Sequence, residues 1–594
     1  MTIRKHYAIA LSLFSLLYLS CNNNHDSKHN EHSTLLAVQQ DSINSAFKNL
    51  CDNYINDTWQ YNPEAATYVG FHNYDSILTI PNSQYQLQKV QFLQEQLQLL
   101  KTFPKDVLLP SHLTDYAIIE NDIAYQLWRH NSLKATEWDP SQYNVTGLFA
   151  FMLSEQYASL NERLLACKLR LKSVPEYYDA AKQNIKNPVI ELKQLAIDQN
   201  EGGLYVFEKD IIDSVNISTL SEADKKEIIA LSKNAANAVK VFVSDLKKIS
   251  NIDARSFRLG SDLYEHKFKY EIQANLTAKE TYEAALDRKA YLHKEMKLLS
   301  DSLWSKYYGT HSKPKDSLAL IAKIIDTLSS KHVKPQEFQQ AISAQIPQLV
   351  QFVKDKNLLY IDSTKPLVIR EEPAYMAGVA GASISAPGPY DKNGNTYYNV
   401  GSLEGWSAAK AESYLREYNH YILQILNIHE AIPGHYTQLV YANRSPSLVK
   451  SILGNGAMIE GWAVYTEQMM LENGYGNNEP EMWLMWYKWH LRTVCNTILD
   501  YSVHALQMDK TAALKLLTQE AFQQQAEAEG KWKRVSVSSV QLTSYYSGYK
   551  AIYDLRTQLQ EREGKKFNLR VFNEKFLSYG SAPVKYISEL MLNP

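Results

Sequence analysis

The chain has few of the residues that break up backbone. Only 22 Gly and 19 Pro occur in 594 residues, too few to cut it into many short strands and turns, so long helices are expected. Cysteine is scarcer still, with four in all. Cys51, Cys167 and Cys495 stand far apart without CxxC spacing, which argues against a disulfide framework or a zinc knuckle and leaves them as buried thiols. No charge is in surplus: 62 Lys and Arg stand against 64 Asp and Glu, a net charge of -2. That balance offers no footprint for a polyanion, and nucleic acid is not an expected partner. After the first twenty residues no run of eighteen apolar residues appears, and no repeat of fixed period. Apolar residues (45%) and aromatic ones (11%, with 40 Tyr) are present in full measure, enough for a large globular core.

Residues 1–20 read as a secretory signal, with Arg4 and Lys5 ahead of an apolar stretch from Ala8 to Ser20 that is too short to span a bilayer. The stretch ends in Tyr18-Leu19-Ser20-Cys21, which resembles a bacterial lipobox with Tyr18 in place of the usual leucine. Cys21 would then be the lipidated first residue of the mature chain. Residues 21–40 follow as a polar tether carrying His25, His29 and His32, read as a solvated linker. The expectation is an exported cell-envelope lipoprotein, facing the periplasm or the exterior and touching the membrane only through the lipid on Cys21.

Residues 41–594 read as one unit. Residues 41–355 alternate amphipathic stretches with short breaks, as in Tyr85 to Leu100 and Glu222 to Lys248, and form a helical scaffold. Residues 356–594 form the half that carries chemistry. Between Leu358 and Val400 the texture changes: Gly378-Val379-Ala380-Gly381-Ala382-Ser383-Ile384 and Asn393-Gly394-Asn395 flank β-prone runs such as Thr396-Tyr397-Tyr398-Asn399-Val400. The fold class is therefore mainly α, with a small β-sheet just ahead of the chemistry-bearing helices.

Those helices begin at Asn427-Ile428-His429-Glu430-Ala431-Ile432-Pro433-Gly434-His435-Tyr436. Leu415, Tyr418, Ile422 and Ile425 make one stripe that continues to His429, which should point inward. An adjacent His-Glu pair followed by a second His is what a catalytic zinc needs, imidazoles to bind it and a glutamate beside its water. The spacing departs from HExxH. Six residues are about 600° of helix, which would set His435 about 120° away from His429. Pro433 removes a backbone donor and crowds the carbonyl of His429, and Gly434 accepts unusual dihedrals, so a local bulge is expected to restore convergence.

Downstream, Ala457-Met458-Ile459-Glu460-Gly461-Trp462-Ala463-Val464-Tyr465-Thr466-Glu467 reads as a second helix. Glu460 and Glu467, seven apart, share a face among apolar neighbours. Glu460 is placed to be the third ligand of a two-His, one-Glu zinc site, and Glu467 to orient a ligand histidine. The alternative is a salt-bridged helix face.

These motifs resemble the bacterial domain-of-unknown-function 885 family (DUF885), which is similar to zinc peptidases of the gluzincin type. The resemblance extends over roughly Asp41 to the C-terminus. It includes Pro63-Glu64-Ala65-Ala66-Thr67 with Gly70 and Tyr74-Asp75, then Asp500 with His504, Arg534, Gln541, Tyr545 and Gly548, and Leu555-Arg556. Ser539 stands where the family usually has proline. The resemblance implies a helical zinc-peptidase-like fold, one Zn2+ on His429, His435 and Glu460, Glu430 as the general base and a peptide substrate. It also implies that Tyr545, with Tyr546 as a rival, stabilises the tetrahedral intermediate. Asp500 and His504, four apart, would share a helix face, with His504 binding substrate or the developing oxyanion. Arg534 would bind a substrate carboxylate. The run from Gly378 to Ile384, or Tyr398-Asn399-Val400, would offer an extended peptide a strand edge. Two other readings stay open: a non-catalytic peptide-binding surface lipoprotein with an inherited pocket, and a purely structural helical lipoprotein.

Overall fold

The computed structural model describes residues 27–373, 382–391 and 394–593, with side chains from residue 40 onward. The signal stretch, Cys21 and the Gly378 to Gly381 part of the glycine-rich run lie outside the described residues. The chain is mainly α-helical with one three-stranded sheet. Helix starts at Ser27 and runs to Thr58, so residues 27–40 are helical where a polar tether was expected. Neither Gly nor Pro occurs from Asn22 to Thr58 to stop it. Among the described residues no helix is long and apolar enough to cross a membrane.

The helices that matter below are α1 (Pro110–Trp128), α2 (Leu160–Asn184), α3 (Glu222–Lys248), α4 (Ser261–Ile272), α5 (Ala278–Tyr308), α6 (Phe338–Asp355), α7 (His420–Glu430), α8 (His435–Ala442), α9 (Gly456–Glu472), α10 (Pro480–His504), α11 (Gln525–Val537) and α12 (Ser544–Glu563). Helix α3 illustrates how sequence sets them. Ser221 caps its N-terminus by accepting from Asp224 N, acidic Glu222 and Asp224 fill the first turn, and Lys247 and Lys248 fill the last, matching the helix dipole at both ends. Its Ile228, Ser232, Ala235, Val239, Phe242 and Leu246 recur at three- to four-residue steps and bury one face, against which α2 packs.

Leu78 and residues between Tyr143 and Leu246, including Phe149, Leu171 and Phe242, form a core of their own. A second, larger core runs from Phe47 through Trp304 and Leu349 to Trp462, Leu499 and Met591. It joins the N-terminal helices to the chemistry-bearing ones. Cys51, Cys167 and Cys495 are buried free thiols.

The sheet lies where the change in texture predicts it. Strands β1 (Leu367–Glu371), β2 (Ala382–Ser385) and β3 (Thr396–Val400) are ordered β1-β3-β2, with β1 parallel and β2 antiparallel to β3. Tyr398-Asn399-Val400 is thus central and offers no edge, which corrects that expectation; β2 is an outer strand. The sheet is tied to α7 by one buried contact. Tyr398 donates to Asn427 Oδ1 at 2.8 Å, and Asn427 Nδ2 donates to Gln345 Oε1 on α6 at 2.6 Å. Asn427 is two residues before His429, so sheet and α6 together fix the end of α7.

Candidate metal centre

Helix α7 is shorter than the hydrophobic stripe suggests. Tyr418 ends the preceding helix, Ala408–Glu417. Asn419 then caps α7, accepting from Tyr421 N at 3.1 Å and Ile422 N at 3.3 Å. Within α7, Ile422, Ile425 and His429 are buried on the inward face.

The insertion between the two histidines differs from the expected bulge. Helix α7 ends at Glu430 and α8 begins at His435, with Ala431 and Gly434 outside helical dihedrals and a cis Ile432–Pro433 bond between them. Asn427 O accepts from both Ala431 N and Ile432 N, and Ile428 O accepts from Gly434 N at 3.0 Å, so the turn folds back on the last turn of α7. Gly434 is required by closeness: a Cβ there would stand 1.8 Å from the carbonyl oxygen of His429. Trp462 of α9 clasps the turn, its Nε1 donating to Pro433 O at 2.9 Å. The result is convergence by a break rather than a bulge. The two imidazoles stand 4.8 Å apart, centroid to centroid, at 87° to one another.

Glu460 of α9 completes the cluster. Its Oε2 lies 3.4 Å from His435 Nε2 and 3.8 Å from His429 Nε2, and one ligand atom from each of the three residues falls within 4.8 Å of the others. Two turns on, Glu467 meets the other side of the same imidazole. His429 Nδ1 donates to Glu467 Oε1 at 2.7 Å, and Trp489 Nε1 of α10 donates to that oxygen at 3.1 Å. The shared face of Glu460 and Glu467 thus serves both nitrogens of one histidine.

The electrostatics follow from this burial. Burial works against charge on His429, but its hydrogen bonds to Glu460 and Glu467 prevail and hold its pKa up at about 10. Burial would raise Glu460, yet the two histidines keep it well below the carboxylate range. Glu430 is pushed up by burial, against the pull of His435 and His429. A site that attracts a proton to His429 so strongly attracts a divalent cation for the same reason.

The remaining candidates separate into two groups. Tyr545 lies near enough to feel the charge of Glu460. Burial raises its hydroxyl to about 12, the charge of Glu460 being the next contribution, and Arg534 Nη2 lies 3.3 Å from its oxygen while also donating to Gln541 Oε1 at 2.6 Å. Helices α9 and α12 approach this closely because Gly461 meets Gly548; a Cβ on Gly548 would stand 1.7 Å from Ala457 O. Tyr546, the rival, is turned away and donates to Ala284 O on α5 at 3.0 Å.

Asp500, His504 and Asn399 do structural work. Asp500 accepts from Tyr264 OH at 2.9 Å, Val540 N at 2.9 Å and Leu542 N at 3.1 Å, so its carboxylate shapes the loop ahead of Tyr545. Lys267 holds the same loop through Ser539 O at 2.7 Å. His504, expected at an oxyanion, has Nε2 at 2.9 Å from the carbonyl oxygens of Val535 and Ser538, while its Nδ1 is buried without a partner. Asn399 is buried in the sheet between Arg370 Nε (2.6 Å) and Ser385 Oγ (2.7 Å). The opening motif is likewise an anchor: Thr67 donates to Asp75 at 2.7 Å and accepts from the buried Arg170 at 2.9 Å.

A cavity of about 660 Å3 opens among α1, α4 and the first turn of α9. Its walls include His504, Ala457, three residues before Glu460, and Gln541 and Ser544, which both precede Tyr545; His429, His435 and Glu460 are not among them. Sequence reasoning missed Asn427, Trp462 and Trp489. Trp462 follows Gly461, and Trp489 stands between Lys488 and His490, both in buried helices where an indole N–H needs a buried acceptor, and that was the available signal.

The chain can be compared with known proteins on this basis. A solved structure of a candidate lipoprotein of unknown function from Shewanella oneidensis is 51% identical, with a TM-score of 0.83 over 92% of this chain and 100% of that one. A candidate lipoprotein from Colwellia psychrerythraea is 15% identical and shares the fold, with a TM-score of 0.77 over 92% of this chain and 98% of that one. No curated protein matches. The family model described as bacterial protein of unknown function (DUF885) matches residues 63–591, and the chain belongs to that family.

Proposed function

We propose that the protein is an exported zinc-dependent peptidase that hydrolyses peptides or oligopeptides at the cluster of His429, His435 and Glu460. The observation that carries this reading is the convergence of two imidazole nitrogens and one carboxylate oxygen within 4.8 Å of each other. Tetrahedral zinc, with bonds of about 2.0–2.1 Å, sets neighbouring ligand atoms about 3.4 Å apart. The separations of 3.4 and 3.8 Å from Glu460 Oε2 suit it. Two His and one Glu are also the donor set of hydrolytic zinc sites, which keep one position for water. When bound, the metal supplies Lewis acidity and a water of lowered pKa.

The chain's own residues supply the rest. Glu430, raised by burial, accepts the proton of the attacking water on a carboxylate oxygen and returns it to the leaving amine. Tyr545 keeps its proton at neutral pH and donates to the developing oxyanion. Glu467 fixes the ring of His429 so that Nε2 faces the ligand cluster.

The test is metal content together with cleavage of a mixed peptide library before and after chelation. Glu430→Gln is expected to keep the metal and lose cleavage, and His429→Ala to lose both. Turnover that survives in Glu430→Gln removes Glu430 as the base, and bound metal without cleavage by the wild type favours a peptide-binding protein.

Export and lipidation belong to the same reading. They are supported by the leader that ends in Ser20-Cys21 and by the description of both similar structures as candidate lipoproteins. Metabolic labelling with a fatty-acid analogue should tag the wild type and not Cys21→Ser.

A further inference from the structure

Helices α10 and α11 each carry a pair of cations near their buried faces. Lys488 and Arg492 stand one turn apart on α10, and Lys531 and Arg534 one turn apart on α11. The first two are paired: Lys488 Nζ lies 2.9 Å from Glu417 Oε1, both groups buried, and Arg492 meets Glu527 Oε1. The second two are not matched in this way. Lys531 is 5% exposed and lies 4.0 Å from Glu527, whose same oxygen already serves Arg492. Arg534 has no carboxylate within ion-pair distance among the described residues; its Nη2 is held by the neutral Gln541 and Tyr545.

Of these four cations, Arg534 is therefore the one without an ion pair among the described residues. Burial and the charge of Arg492 hold the Lys531 ammonium well below its usual pKa, as expected where a counter-ion is wanting. The position of Arg534 matters as well. Tyr545 feels Glu460 and meets Arg534, so the guanidinium without a carboxylate lies one tyrosine away from the ligand cluster.

We propose that Arg534 and Lys531 form the subsite for the C-terminal carboxylate of the substrate, so that the enzyme takes short peptides with a free C-terminus and trims them from that end. This rests on the reading of the cluster as a peptidase centre. Gln541 and Tyr545 orient the guanidinium, whose planar fork suits a carboxylate, and Lys531 adds a point charge behind it. Cleavage adds one water across the amide: hydroxyl to the acyl carbon and hydrogen to the leaving amine, whose far end is the carboxylate held by Arg534.

The experiment uses the zinc-loaded full chain and one fluorogenic peptide in two forms, free acid and C-terminal amide. The wild type should prefer the acid by about a hundredfold in kcat/KM, and in Arg534→Gln that ratio should fall toward one through a rise in KM for the acid. Calorimetry on Glu430→Gln with an acetylated dipeptide and its amide reads binding without turnover, and the acid should bind at least tenfold more tightly. Lys531→Met should weaken the preference while raising stability, which a merely supporting lysine would not do. Equal cleavage and equal binding of acid and amide overturn the proposal. So does an equal fall of kcat on both in Arg534→Gln, the signature of a residue that only positions Tyr545. Preferential binding of the acid without cleavage of either form keeps the subsite and overturns the peptidase reading.

Discussion

His429 Nδ1 donates to Glu467 Oε1 at 2.7 Å, and Glu467 is completely buried. A carboxylate so placed fixes the ring plane and leaves Nε2 to face Glu460 and His435. Glu467→Gln keeps the shape and removes the charge. The expected outcome is a 10–100-fold loss of zinc affinity in competition with a chromophoric chelator, with little change in helical content. An unchanged affinity would mean that Trp489 and packing orient the ring without help.

The glycines at two close approaches carry separate consequences. A methyl group at Gly434 would meet the His429 carbonyl, and one at Gly548 would meet that of Ala457. Gly434→Ala forces the turn between α7 and α8 to open, so it should cost about 2–4 kcal/mol in urea unfolding and lower the zinc content. Gly548→Ala acts elsewhere, separating α12 from α9 and hence Tyr545 from Glu460. It should retain zinc and lower kcat by about 10–100-fold.

How much of this was legible beforehand depended on how local the signal was. The helical class, the place of the sheet and the inward stripe of α7 follow from periodicity and from the scarcity of Gly and Pro, which act within a few residues. The convergence of His435 was half legible. Pro433 and Gly434 mark an interruption, but whether the helix bulges or stops is decided by Trp462, which arrives from another helix to hold Pro433 O. The roles of Asp500 and His504 were not legible. Their four-residue spacing suits a shared catalytic face and a structural face equally, and only the packing of the loop from Val535 to Leu542 against them separates the two.

A pH dependence follows from Glu527. Burial raises its pKa, but Arg492 and Lys531 outweigh burial and bring it down from 4.5 to about 2. A carboxyl with a lowered folded-state pKa contributes stability that is fully present above the unfolded value and is lost as the pH falls through about 2. Glu527→Gln removes that contribution and leaves Arg492 without its partner. At pH 7 the variant should unfold at lower urea, by about 3 kcal/mol. The gap from the wild type should narrow as the pH falls from 5 toward 3; a gap that stays constant would show that the pair contributes by shape rather than charge.

Asp500 on α10 anchors the loop that leads into Tyr545, and substitution of the two should divide stability from chemistry. Asp500 accepts from one hydroxyl and two backbone amides, all buried. Asp500→Ala leaves three donors without an acceptor, at about 1–3 kcal/mol each before relaxation. Loss of stability should come first, with kcat falling only as Tyr545 loses its support. Tyr545→Phe removes a hydroxyl whose neighbours are Arg534 and the charge of Glu460. Stability should hardly change, zinc should remain, and kcat should fall by about a hundredfold with KM nearly constant, as for an oxyanion donor. Should Tyr545→Phe instead raise KM alone, the hydroxyl serves to orient Arg534 for substrate binding, and the oxyanion must find its donor elsewhere.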